Sequence, residues 1–283
     1  MAAVPAYADV GKTVKEILSG GRSGVYSLNN KLSASTKTAD GVALAFSALS
    51  KGDKLDLSVR STFPLPVKGY SLAAVVSGSD KVALTLSGAD VAGVAGLRAT
   101  LTAAVPDAAS GKLALDWASR SASARLSSTL TTQPNLSLAA TTAVRGLLLG
   151  ATADYSTGKA ALTDYGVAVG YHAGDSQLAA IFSERLETLT LRVAHSVTKD
   201  KTLAAEASRP LAGGLGAETT FTVGLAQALE GGALVKAKVD QRGVLTALYE
   251  QRLATGEKVC LSAQMDTRAP SAPPKVGVAL DLA

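Results

Sequence analysis

The side chains that most often carry chemistry are few here. His172 and His195 are the only histidines in 283 residues, and Cys260 is the only cysteine. They fall in separate stretches, so nothing local brings a base to a nucleophile. A single cysteine excludes an intrachain disulfide and a thiolate zinc cluster. Its neighbours Val259 and Leu261 suit an inert, packed position. Ser156-Thr157-Gly158-Lys159 has the outline of a phosphate-binding loop, but Ala153 stands where the leading glycine belongs. Ala160 replaces the hydroxyl that would hold a metal ion, so the stretch reads as a hairpin turn. Gly213-Gly214-Leu215-Gly216 lacks the third glycine and the strand-to-helix setting of a dinucleotide site. No catalytic residue, cofactor or metal site is expected, and the chain does not read as an enzyme.

What remains is charge and its arrangement. Charged residues make up 18% of the chain and hydrophobic residues 47%, against about 25% charge in a typical soluble domain. The net charge is +5, but the cations are spread along the chain, unlike the basic face of a nucleic-acid binder. A transmembrane helix needs about 20 apolar residues in a row, and the longest such run, Gly146 to Ala153, is far shorter. The N-terminal stretch lacks the basic and apolar regions of a secretory signal. Its acids, Asp9 and Glu16, are unlike a transit peptide.

From about Gly24 onward, apolar and polar residues alternate. Leu55, Leu57 and Val59 interleave with Lys54, Asp56, Ser58 and Arg60; Leu97, Ala99 and Leu101 interleave with Arg98, Thr100 and Thr102. A period of two places one set on each face of a strand. Turn pairs such as Asp40-Gly41, Ser110-Gly111, Lys199-Asp200 and Arg242-Gly243 punctuate the runs. About nineteen strands result, most of a length to cross a bilayer. In hydrocarbon every backbone polar group needs an internal partner, so such strands must close into a barrel. A barrel this wide holds water, with the polar face inward and the apolar face in lipid. Strands apolar on both faces, such as Leu72 to Ser77 and Gly146 to Leu149, suggest that part of the inner wall is covered.

Residues 6–19 do not alternate. Tyr7, Val10, Val14 and Ile17 recur at helical spacing, with Pro5 before them and Gly20-Gly21 after. The expected architecture is therefore an all-β membrane protein. A helical segment, 1–23, precedes a single transmembrane β-barrel, 24–283, and the amphipathic helix lies in the lumen.

The N-terminal run Tyr7-Ala8-Asp9-Val10-Gly11-Lys12, with Lys15, Glu16 and the glycine pair, resembles that of the voltage-dependent anion channels, the mitochondrial porins. So do the last fifty or so residues, from Ala233 through Leu261-Ser262-Ala263 to the C-terminus. In the last strand Lys275, Gly277, Leu280 and Leu282 match the signal that sorts mitochondrial barrels to their insertion machinery. The resemblance implies nineteen strands with the first and last parallel. It also implies a gating helix (Tyr7, Asp9, Val10, Gly11, Val14, Ile17) hinged at Gly20 and Gly21, and location in the mitochondrial outer membrane. The implied activity is voltage-gated, weakly anion-selective passage of ATP, ADP, phosphate and other small metabolites. Implied partners are membrane lipid, those anions and further copies of the chain, but no nucleic acid. Two departures stand out. Val76 occupies the place of a lipid-facing acid that some animal members carry on the fourth strand, and the family's Gly-Leu-Lys nucleotide motif is absent.

Assigning each strand a polar phase points Lys31, Lys54, Arg60, Lys81, Arg98, Lys112, Arg125, Arg192, Lys236, Lys238 and Lys258 into the pore. Lys12 and Lys15 of the helix join them, as does Arg22, which stands for a family lysine near the helix end. On the same phase, acids such as Asp56, Asp116, Asp154 and Glu206 leave roughly eleven wall cations against seven anions. Rings of charge set ion preference, but screening acts over about 8 Å, so the expected selectivity is weak. Two other readings share these features: a protein-import channel of the same membrane, and a β-scaffold acting as a docking platform.

Overall fold

The computed structural model describes residues 4–20, 25–52, 54–67, 69–78, 81–211 and 218–282. The expected hinge residue Gly21 and pore residue Arg22 lie outside the described residues, as does a strand start at Gly216. A turn of 3-10 helix (Tyr7–Asp9) and a helix α1 (Lys12–Leu18) come first. The first strands are β1 (Asn30–Lys37), β2 (Ala43–Lys51), β3 (Lys54–Pro64), β4 (Tyr70–Ser77), β5 (Val82–Ala89) and β6 (Leu97–Val105). Next come β7 (Lys112–Ala118), β8 (Ala122–Thr129), β9 (Asn135–Val144), β10 (Leu147–Ser156), β11 (Ala161–Ala173), β12 (Ser176–Ser183) and β13 (Thr188–Thr198). The last six are β14 (Lys201–Pro210), β15 (Thr220–Ala228), β16 (Leu234–Asp240), β17 (Val244–Arg252), β18 (Lys258–Asp266) and β19 (Lys275–Leu282).

The expected strand number and closure are both present. Each strand pairs antiparallel with the next, and β1 pairs parallel with β19 to shut the ring. An odd number of up-and-down strands forces that one parallel seam, because the first and last strands then run the same way. Its register sets Lys31 beside Ala279 and Ser33 beside Asp281, and the Ser33 hydroxyl donates to the Asp281 carboxylate.

Alternation behaves as the pattern predicts. Leu55, Leu57 and Val59 of β3 are exposed on the outside, while Arg60, Ser58 and Asp56 sit opposite Ala45, Ser47 and Leu49 on the inner face of β2. Val76 is half exposed outside, where the resemblance put it. Aromatics are only 4% of the chain, yet each described aromatic on a strand, from Phe46 and Phe63 to Trp117 and Tyr249, faces outward. The few rings thus lie on the lipid-facing side of the wall.

Two expectations need correction. The first strand begins at Asn30, not near Gly24. Residues 25–28 instead cross the inner face of the wall: the Ser27 amide donates to Ser262 Oγ, and Gly277 lies against the backbone of Ser27 and Leu28. The helix over 6–19 is also not continuous. Gly11 takes a left-handed conformation at φ +67° and separates the 3-10 turn from α1.

Trp117, the sole tryptophan, lies near the end of β7 with its side chain outward. In vesicles of brominated lipid its fluorescence is expected to be quenched more by bromines near the headgroup than by bromines at the chain end. Quenching by aqueous iodide alone would contradict the outward placement.

Candidate functional site

The helix fits inside the barrel because the wall beneath it is built of small residues. Val10, Val14, Ile17 and Leu18 are each under 5% exposed. Val10 rests on Ala168 and Ala179, flanked by Leu148 and Ile181. Val14, Ile17 and Leu18 rest on Ala194 and Ala204, with Ala226 alongside. Leu148 belongs to the stretch that reads as apolar on both faces, and the helix is what covers it. Glycines let the backbones approach. A methyl group at Gly150 would lie 2.8 Å from the Tyr7 ring, and one at Gly224 would lie 3.3 Å from Ile17 Cγ2. Each apolar side chain buried this way contributes about 1.5–3 kcal/mol before ordering costs are counted.

Polar contacts fix the segment at both ends. The Val4 amide donates to Ser119 O at 3.0 Å. The Pro5 carbonyl accepts from Ser123 Oγ at 3.0 Å and from Thr141 Oγ1 at 2.6 Å. At the far end, the carbonyls of the last helical turn have no intrahelical partner. Lys236 Nζ donates to Glu16 O at 2.8 Å, Tyr26 Oη to Ile17 O at 2.9 Å, and Lys238 Nζ to Leu18 O at 2.6 Å. Two cations thus sit at the negative end of the helix, where they are favoured. Between the ends, Arg192 pairs with Glu206 at 2.6 Å and reaches Val10 O.

The predicted wall cations separate into three groups. Lys54, Arg60, Arg98 and Lys112 are exposed inside the pore and make no ion pair with a described residue, and Lys31 faces inward from β1. Arg125, Lys258 and Lys81 are held by Asp116, Glu250 and Asp107. The Lys81 pair sits at the rim, and the hydrogen bond from Lys81 holds the Asp107 carboxyl below the usual range. Arg192, Lys236 and Lys238 form the third group and seat the helix. Lys236 is 3% exposed, so it lies behind α1 and not on the open pore as predicted. Its ammonium completes the helix end. Lys12 and Lys15 are exposed on the helix, with Lys12 3.1 Å from Asp9. Gly20 has φ +88°. In β19, Leu280 and Leu282 face outward, and Gly277 is bare because the 27–28 backbone crosses it. Cys260 is buried at the same crossing.

Sequence reasoning missed Tyr26, the Ser123–Thr141 pair and the acids Glu206 and Glu250 as parts of this seat. One signal was available for the floor. Gly150, Gly166, Gly170 and Gly224 interrupt strand interiors, where glycine marks a close approach of another segment. No such signal marks Tyr26, which lies in an irregular stretch.

The chain matches the model of the eukaryotic porin family over residues 3–277. It is 28% identical to mitochondrial outer membrane protein porin 5 of Oryza sativa subsp. japonica over 98% of this chain and 96% of that one. It is 27% identical to the mitochondrial outer membrane porin of Triticum aestivum, with 98% and 97% covered. Among solved structures, a mutant of Rhodopseudomonas blastica porin is 11% identical, with 88% and 94% covered and a TM-score of 0.47.

Gly11→Val adds a β-branched side chain at positive φ, where a methyl group already meets Arg192 Cδ at 2.8 Å. Left-handed backbone alone costs about 1–2 kcal/mol for an ordinary residue. The expected result is faster proteolysis of residues 1–20 in the refolded barrel, with the barrel core still protected.

Tyr26 lies outside the strands, and burial pushes its hydroxyl up to about 12. A group with a raised folded value supports the fold fully below its unfolded value, near 10, and loses that support as pH rises through about 12. A dye on Thr13→Cys, in a Cys260→Ser background, is therefore expected to gain rotational freedom across that window. The Tyr26→Phe variant should lack this transition.

Proposed function

This chain belongs to the eukaryotic porin family, and from that premise we propose that it is a voltage-gated, weakly anion-selective channel for ATP, ADP, phosphate and other small metabolites. It forms a pore for small solutes across the mitochondrial outer membrane and is not an enzyme. The observation that carries the ion preference is an imbalance in how lumen charges are used. Asp116, Glu206 and Glu250 are held in ion pairs. Asp240 and Asp266 are bound by turn amides. Lys54, Arg60, Arg98 and Lys112 remain exposed to pore water without an ionic partner among the described residues. Asp56 and Asp154 offset part of that excess, and screening over about 8 Å weakens the rest. The preference is therefore for anions, and slight.

Tyr7, Asp9, Val10, Gly11, Val14 and Ile17 form the gate in this reading, with Gly20 and Gly21 as hinge. Lys12, Lys15 and Arg22 add to the charge that anions meet. Support comes from the packing: between its polar end contacts the segment lies on the wall by one apolar face, largely over alanines. Lys275, Gly277, Leu280 and Leu282 are the residues the insertion machinery would read.

A planar-bilayer recording of the refolded chain under a potassium chloride gradient tests the reading. The expected outcome is large steps that close at both polarities, with a reversal potential on the chloride side. Replacing Lys54, Arg60 and Arg98 together by glutamate should move the reversal potential to the potassium side. A wild-type pore that prefers potassium would overturn the anion assignment.

A further inference from the structure

A second part of the inner wall, away from the helix, has the make-up of a binding site. The turns after β8 and β10 border one mouth of the barrel, opposite the mouth where Val4 is tied to Ser119. There the inner faces of β7 to β10 enclose a cleft of about 390 Å³, within the size range of small-ligand sites. Lys112 borders it from the start of β7, and Lys159 from the turn after β10. Ser127, Ser137, Asp154 and Ser156 line its wall. The strand register brings them together: Ser127 lies opposite Ser137, and Ser137 opposite Asp154.

None of these side chains makes a hydrogen bond or ion pair with a described residue. That sets them apart from the lumen groups around them. Asp164, directly across from Asp154, already accepts the amides of Tyr165 and Arg185. Asp116 is paired with Arg125. The cleft therefore offers two ammonium groups, one carboxylate and three hydroxyls with no competing partner. Ammonium groups recognise phosphate oxygens. A carboxylate beside hydroxyls accepts from vicinal sugar hydroxyls, and it disfavours a ligand that is negative throughout. No strand aromatic faces inward among the described residues; Tyr155 borders the cleft, but its side chain points outward. A nucleobase would find no ring to stack on.

We propose that this cleft is a docking site for phosphorylated sugars, with Lys112 and Lys159 on the phosphate and Asp154 with the serines on the sugar hydroxyls. It deepens the channel reading and rests on it, since the ligand reaches the cleft through the pore mouth. A transient stop there would favour sugar phosphates over bare inorganic anions in the traffic through the barrel.

The test uses the refolded full-length chain, with glucose 6-phosphate, inorganic phosphate and ATP as probes. Equilibrium dialysis of the barrel in detergent should show saturable glucose 6-phosphate binding. Lys112→Gln with Lys159→Gln should weaken it about tenfold or more, the loss expected for a charge-assisted contact. Asp154→Asn should weaken glucose 6-phosphate while inorganic phosphate binds as tightly or more tightly. Unchanged far-ultraviolet circular dichroism and unchanged protease resistance of the variants certify their fold. Undiminished binding in the lysine double variant overturns the site. Tighter binding of ATP than of glucose 6-phosphate, lost in the same variant, overturns the ligand class. Dialysis needs no conductance, so the two readings fail separately. A barrel that binds but does not conduct sinks the channel, and one that conducts without binding sinks the cleft.

Discussion

In hydrocarbon an unpaired backbone N–H or C=O costs several kcal/mol, and this barrel meets that constraint through the seam between β1 and β19. Eighteen of its nineteen neighbour pairings are hairpins or sequential contacts that any local stretch of chain could form. The remaining one joins residues about 250 positions apart, Lys31 to Ala279 through Ala34 to Leu282. Without it, both terminal strands would present bare edges to lipid. The seam is also reinforced from inside. Residues 25–28 cross β18 and β19 there, held by Ser262 and accommodated by Gly277.

That crossing links closure of the barrel to placement of the helix. The chain leaves α1, passes Tyr26, and enters β1 within a dozen residues. Tyr26 is bonded to the helix end while its ring lies 4.9 Å from the Lys238 ammonium. The same few residues therefore stabilise the seam and anchor the helix. The N-terminal segment in turn covers part of one stretch of wall, β9 through β16, where small apolar residues face inward. Val10, Val14, Ile17 and Leu18 gain burial, and Ala168, Ala194 and Ala204 lose exposure in the same contact.

Because the helix occupies one side, the lumen is chemically uneven. Along the helix the wall charges are spent on internal bonds, as with Arg192, Lys236 and Lys238. Away from it, on β1 to β8 and at the far ends of β9 and β10, cations and hydroxyls face open water. The open charges therefore lie on the bare part of the wall, and helix position depends on the covered part.

The sequence by itself determined the fold. Two-residue alternation, frequent turn pairs and the absence of long apolar runs leave a wide closed barrel as the only way to pair the backbone in lipid, and helical spacing at Val10, Val14 and Ile17 sets the first segment apart. It also determined which face of most strands carries charge, because a strand has only two faces. Tertiary structure alone decided how those charges are used. Lys236 and Lys54 look alike in an alternating run, yet one caps a helix and the other meets pore water. That difference arises from contacts about 220 residues apart in sequence, which no local pattern records. The break at Gly11 and the late start of β1 follow the same rule. Each lies against a distant neighbour, Arg192 in one case and Ser262 with Gly277 in the other.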